Sequence, residues 1–113
     1  VILFKSQQNT TGILLFTLRK AAVHLGETKC RGGLVSDPDR VPYFRDYLHA
    51  ASLAIEDRVN LKGYFAWSLL DNFEWAEGYT QRFGIKYVDF TTQKRIPKDS
   101  FYFLKNIFHN NHI

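Results

Sequence analysis

The chain has 113 residues, 45% of them hydrophobic and 23% charged, which suits one domain or part of one and excludes a disordered polypeptide. Its net charge of +4 is dispersed, and the densest cationic group, Lys94, Arg95 and Lys98, reads as a solvated turn rather than a nucleic-acid interface. No run reaches the roughly 18 apolar residues of a membrane-spanning helix, so no membrane is expected as a partner.

The first 36 residues carry few signals. Val1–Phe4 suits a strand end, and 7–12 has the composition of a loop. The apolar run from Ile13 toward Leu25 fits a helix or a buried strand equally, because short apolar runs do not separate the two. Gly26, Gly32 and Gly33 mark a loop. From Ser36 the periodicity is clear. Asp37 and Asp39 are candidate N-caps, with Asp39 preferred because it leaves Pro42 in the first turn. Val41, Phe44, Leu48, Ala51 and Ile55 recur at steps of three and four, which predicts an amphipathic helix whose outer face carries Arg45, Asp46 and Glu56. Asp57–Asn60 ends it.

Gly63–Leu70 is almost continuously apolar, the pattern of a parallel strand buried on both faces. A polar-aromatic loop follows over 71–82, then a short β-like extension over 83–90 and a turn over 91–95. A last helix begins near Asp99 or Ser100 and lines up Phe101, Leu104 and Phe108 before fraying after His109. Helix, buried strand, loop and helix make an α/β chain, a βα unit preceded by the helix of the unit before it. One buried strand needs neighbours on both edges, so more sheet is expected than 113 residues visibly supply. The chain also contains no Met and is read as a piece of a longer protein.

The single cysteine, Cys30, excludes an internal disulfide framework and fits a reducing compartment. His24, His49, His109 and His112 do not combine with cysteine or carboxylate at zinc spacings, so no metal site is expected. The loop is more informative. Trp67 stands near the strand's carboxyl end, and Asp71, Asn72, Glu74 and Trp75 follow it. Sugars call for such a mixture, since pyranose C–H faces stack on indole while carboxylates and amides bind adjacent hydroxyls. The same residues also suit a buried aromatic cluster, with Asp71 and Asn72 capping a turn.

The segment Trp67-Ser68-Leu69-Leu70-Asp71-Asn72-Phe73-Glu74-Trp75, with Gly78-Tyr79 and Arg82-Phe83-Gly84, resembles the last barrel strand and loop of glycoside hydrolase family 1. This is the β-glucosidase and β-galactosidase family. The resemblance continues through Tyr87-Val88-Asp89, Lys94-Arg95 and Pro97-Lys98-Asp99-Ser100, and backwards through Asp37, Arg40, Tyr47 and Leu48. It implies that residues 37–113 are the carboxyl-terminal part of a (β/α)8 barrel, with 1–36 a poorly matched segment around the preceding strand. It further implies a retaining β-glycosidase that uses no cofactor and no metal. Trp67 matches the platform beneath the sugar in the −1 subsite, Glu74 the carboxylate that holds the 4- and 6-hydroxyls, Trp75 the indole near the 3-hydroxyl, and Phe83 an aromatic lining the pocket. The expected partner is an unphosphorylated β-glucoside or β-galactoside.

The match breaks at the catalytic pair. Family members use two glutamates about 5 Å apart, one in Asn-Glu-Pro and one in Thr-Glu-Asn-Gly, and neither segment occurs here. Glu27, in Val23–Cys30, stands where the nucleophile would be; it is a displaced nucleophile or an ordinary surface glutamate. The rest of the barrel is missing from this chain, which on that account is inactive alone. The second reading is a non-catalytic, degenerate family member that binds a carbohydrate or a partner.

Overall fold

In a computed structural model of the chain, residues 33–112 are described in full, together with the backbone at 2–3, 13–17 and 30–31. Strands β1 (Ile2–Leu3), β2 (Ile13–Thr17), β3 (Cys30–Arg31) and β4 (Leu34–Val35) precede helix α1 (Arg40–Glu56). Strand β5 (Leu61–Ala66), a 3-10 turn (Trp75–Glu77), strands β6 (Lys86–Val88) and β7 (Arg95–Pro97), and helix α2 (Asp99–Asn110) follow. The run left open between helix and strand is β2, which lies parallel to β5 and pairs Phe16 with Phe65 and Thr17 with Ala66. β1 adds antiparallel to its other side, giving the order β1-β2-β5. β6 and β7 form an antiparallel hairpin that the sequence did not announce as such.

The helices follow their patterns. Phe44, Leu48 and Ala51 are buried on α1, whereas Ile55 is exposed because the last turn runs past the core. Asp39 takes the N-cap position without a side-chain capping bond. On α2, Leu104 is buried and Phe101 half-buried, but Phe108 lies exposed beyond the core. Phe44, Leu48, Ile85 and Leu104 form the core, with Tyr64 and Ala66 of β5 packed against them.

β5 corrects the expected strand in two ways. It ends at Ala66 rather than Leu70, and none of its residues is fully buried. Among the described residues, the helices cover the face carrying Tyr64 and Ala66, and Phe65, pointing the other way, is 50% exposed. Beyond Ala66 the chain pairs instead with the segment that closes the loop. Ser68 N–H donates to the Phe83 carbonyl (3.1 Å), Ile85 N–H to that of Ser68 (2.8 Å), Lys86 N–H to that of Leu69 (3.0 Å), and Asp71 N–H to that of Lys86 (3.1 Å). The Trp67–Ser68 peptide at this switch is cis.

Beneath this ladder lies a buried polar network. Asp71 accepts hydrogen bonds from Arg82 Nη1 (2.8 Å), Lys98 Nζ (3.1 Å) and the amides of Gly84 (3.0 Å) and Val88 (3.2 Å). The solvated-turn reading therefore holds for Lys94 and Arg95 but fails for Lys98, which is 0% exposed. Burying an ammonium without a paired charge is costly, and the Asp71 carboxylate lies 3.1 Å from this one. Arg40 donates to the carbonyls of Gly84 and of Arg82 (2.8 Å for the latter) and lies 3.6 Å from Asp37. Asp37 accepts from the amide (2.9 Å) and hydroxyl of Ser100, tying the start of α1 to the start of α2.

Two carboxyls are displaced from their ordinary range in opposite directions. Burial pushes Asp37 above its ordinary value of 3.8, against the pull of Ser100, Arg40 and Lys98. The folded chain then holds that proton to higher pH than the unfolded one, so this group's contribution is largest below 3.8 and lost as pH rises through its folded value. Asp89, in the β6–β7 turn, is held below 3.8 by the Thr92 hydroxyl and the amides of Thr91 and Thr92. Its contribution is present above 3.8 and lost as pH falls through the lower folded value. Side-chain carboxyl carbon shifts followed against pH should place the Asp37 midpoint above 3.8 and that of Asp89 below it. The reverse order would contradict the network as described.

Candidate carbohydrate-binding loop

The loop between β5 and β6 leaves and re-enters the fold at one place. Asp71 at its root is paired with Arg82 at its end, and the Ser68–Lys86 ladder closes it below. Gly84 is required there, because a Cβ would lie 2.1 Å from the Asp71 nitrogen and 2.3 Å from the Leu70 carbonyl carbon. Asn72 Nδ2 donates to Ser68 Oγ (3.0 Å) and to the Leu70 carbonyl (3.0 Å), so Asp71 and Asn72 hold the root together.

Four residues from this root the geometry changes character. Trp67 Nε1 donates to Glu74 Oε1 at 3.1 Å. The indole is 43% exposed, whereas Glu74 is only 7% exposed. The pairing satisfies one carboxylate oxygen and aims the ring beside it, leaving an aromatic face next to a held acceptor. Short local bonds shape the tip: Glu74 N–H donates to the Gly78 carbonyl (2.7 Å), and Glu77 N–H to that of Glu74 (2.9 Å). Trp75 opens the 3-10 turn with a φ of 48° and stands 84% exposed. Phe83 is half-buried, and its carbonyl receives the Ser68 amide immediately after Trp67.

The structure thus brings Trp67 and Glu74 together and sets Phe83 against the strand end, while Trp75 follows Glu74 in the chain with its ring largely in solvent. Glu27 falls outside the described residues. Arg82, Lys98 and Gly84 were not anticipated as the loop's clasp. The sequence signal was the triplet Arg82-Phe83-Gly84, whose glycine marks a close backbone approach.

A family model described as glycosyl hydrolase family 1 matches residues 21–113. Over 80 residues the chain is 60% identical to a 1,4-beta-D-glucan glucohydrolase of Thermotoga neapolitana, covering 71% of this chain and 18% of that protein. It is 58% identical over 79 residues to beta-glucosidase A of Thermotoga maritima, with 70% and 18% covered. Among solved structures, a family 1 β-glucosidase from Thermotoga maritima superposes with a TM-score of 0.72 at 55% identity, covering 74% of this chain and 19% of that one. The family 1 β-glucosidase of Exiguobacterium antarcticum gives 0.70 at 45% identity, covering 73% and 18%. The Thermotoga maritima enzyme has also been solved with glucoimidazole and with deoxynojirimycin. The chain spans about a fifth of the length of the curated relatives it matches.

Proposed function

Since this chain belongs to glycosyl hydrolase family 1, we propose that it is the carboxyl-terminal portion, over residues 37–113, of a (β/α)8 β-glycosidase of the β-glucosidase type. On this reading β5 and α2 are the strand and helix of the last βα unit, and α1 is the helix before them. The parent enzyme hydrolyses O-glycosidic bonds with retention through a glutamate nucleophile and a glutamate acid/base. This portion supplies the sugar-binding wall of the −1 subsite. The observation that carries the reading is the 3.1 Å bond from Trp67 Nε1 to Glu74 Oε1. It leaves the second carboxylate oxygen of Glu74 for the 4- and 6-hydroxyls of a sugar stacked on the indole. Trp75 serves the 3-hydroxyl side, and Phe83 closes the pocket edge. Glu74 holds hydroxyls and is neither nucleophile nor acid/base; without the Asn-Glu-Pro and Thr-Glu-Asn-Gly segments that carry those two glutamates, the chain alone is inactive.

Titration of the chain with deoxynojirimycin tests this, read at the indole N–H signals of its two tryptophans. One wall covers only part of a ligand, so affinity on the order of millimolar is expected, with a shift at Trp67 that Glu74→Gln removes. No shift, or a shift indifferent to Glu74→Gln, would overturn the reading.

Within residues 21–36, which the family model matches, Thr-Glu-Asn-Gly does not occur, and this favours a second reading, a truncated or degenerate family member that binds a carbohydrate or partner without turning it over. A full transcript encoding Asn-Glu-Pro and Thr-Glu-Asn-Gly upstream would exclude it.

A further inference from the structure

Tyr79 belongs to the stretch that resembles the family, yet it has no part in the sugar-facing set. Its ring lies 4.6 Å from that of Phe90 and 5.3 Å, edge-on, from that of Phe73. The Arg82 guanidinium covers Phe90 at 4.6 Å and Tyr87 at 4.2 Å, while its Nη1 holds Asp71 and the Val88 carbonyl. Phe73, Tyr79, Phe90 and Arg82 therefore form a continuous row from the loop's clasped root to the residue before Glu74. The bonds within 74–80 run between neighbours of the tip and shape it without fixing it to the body of the fold. Tyr79 is itself 57% exposed, so burial alone does not account for an aromatic ring at this place.

We propose that Tyr79 is a positioning residue: its ring, held between Phe73 and Phe90, fixes the loop tip so that the Glu74 carboxylate stays within hydrogen-bond reach of Trp67 Nε1. The functional meaning rests on the reading of Glu74 as the sugar-binding carboxylate, but the positioning itself is measurable without a sugar.

Solvent exchange of the Trp67 indole N–H in the 113-residue chain is the readout, with exposed Trp75 as the fast reference. The backbone amide of Leu104, inside α2, reports on the fold as a whole. Tyr79→Ala should raise the Trp67 exchange rate about tenfold while leaving Leu104 unchanged, and Tyr79→Phe, which keeps the ring, should match the parent chain. An unchanged Trp67 rate in Tyr79→Ala would overturn the proposal. So would Trp67 and Leu104 rising together, which would make Tyr79 a general stabiliser, or Tyr79→Phe behaving like Tyr79→Ala. If deoxynojirimycin fails to bind while the Tyr79 effect persists, the sugar reading falls and the positioning role stands.

Discussion

Asp71→Ala is expected to abolish the cooperative thermal transition of this chain. The carboxylate accepts four hydrogen bonds, two from cations and two from backbone amides, and its side chain is wholly out of water. Arg82 retains some access to solvent, but Lys98 has none. Removing the carboxylate takes a hydrogen-bonded counter-charge, 3.1 Å away, from a fully buried ammonium, and breaking such a buried pair costs about 3–5 kcal/mol. Domains of this size hold only about 5–15 kcal/mol in total, so the loss takes a large part of the stability. The coupling is testable in a cycle, since Lys98→Met in the Asp71→Asn background should restore stability that either single change removes. Independent, additive effects of the two changes would show that the pair does not carry the network.

Gly84→Ala should be nearly as damaging, for a steric reason. The added Cβ would lie 2.1 Å from the Asp71 nitrogen, 2.3 Å from the Leu70 carbonyl carbon and 2.8 Å from Asp71 Oδ1. The two closest are backbone atoms in the paired segment, so no rotamer change relieves the clash. Forcing apart the strands at this point breaks the Gly84-to-Asp71 bond (3.0 Å) and moves the carbonyl that Arg40 holds. Overpacking of a core by one methyl costs about 1–3 kcal/mol, and here the upper end or more is expected. Urea unfolding should show a lower midpoint at unchanged slope. A midpoint within error of the parent would mean that the 68–71 and 83–86 segments do not meet as described.

Local pattern and nonlocal pairing divide what the sequence could show. Helices α1 and α2 follow directly from apolar steps of three and four, and Asp57 and Asn111 close them where polar residues take over. Ile13–Thr17 stayed ambiguous because its strand character depends on β5, more than forty residues away. The apolar run 63–70 concealed a change of partner after Ala66, from β2 to 83–86, since periodicity does not record which strand a segment meets. Lys98 looked like part of a solvated turn because its carboxylate lies 27 residues upstream. At the candidate site, residue chemistry and family resemblance singled out Trp67 and Glu74, and the structure joins them by a hydrogen bond. Sugar binding is the proposal built on that bond. Tyr79 is part of the resemblance but receives no role from it, because ring contacts with Phe73 and Phe90 leave no spacing signal.

The most direct test of the Trp67–Glu74 wall is a graft. Beta-glucosidase A of Thermotoga maritima is 58% identical to this chain over 79 residues, and that stretch can be replaced by the corresponding residues of this chain. The hybrid keeps the relative's remaining sequence and is assayed for hydrolysis of an aryl β-glucoside. Hydrolysis is expected, with Glu74→Gln in the hybrid lowering kcat/KM by about 10- to 100-fold, as for losing charged hydrogen bonds to the substrate. A folded hybrid without activity, or one indifferent to Glu74→Gln, would contradict the assignment of this loop to sugar recognition.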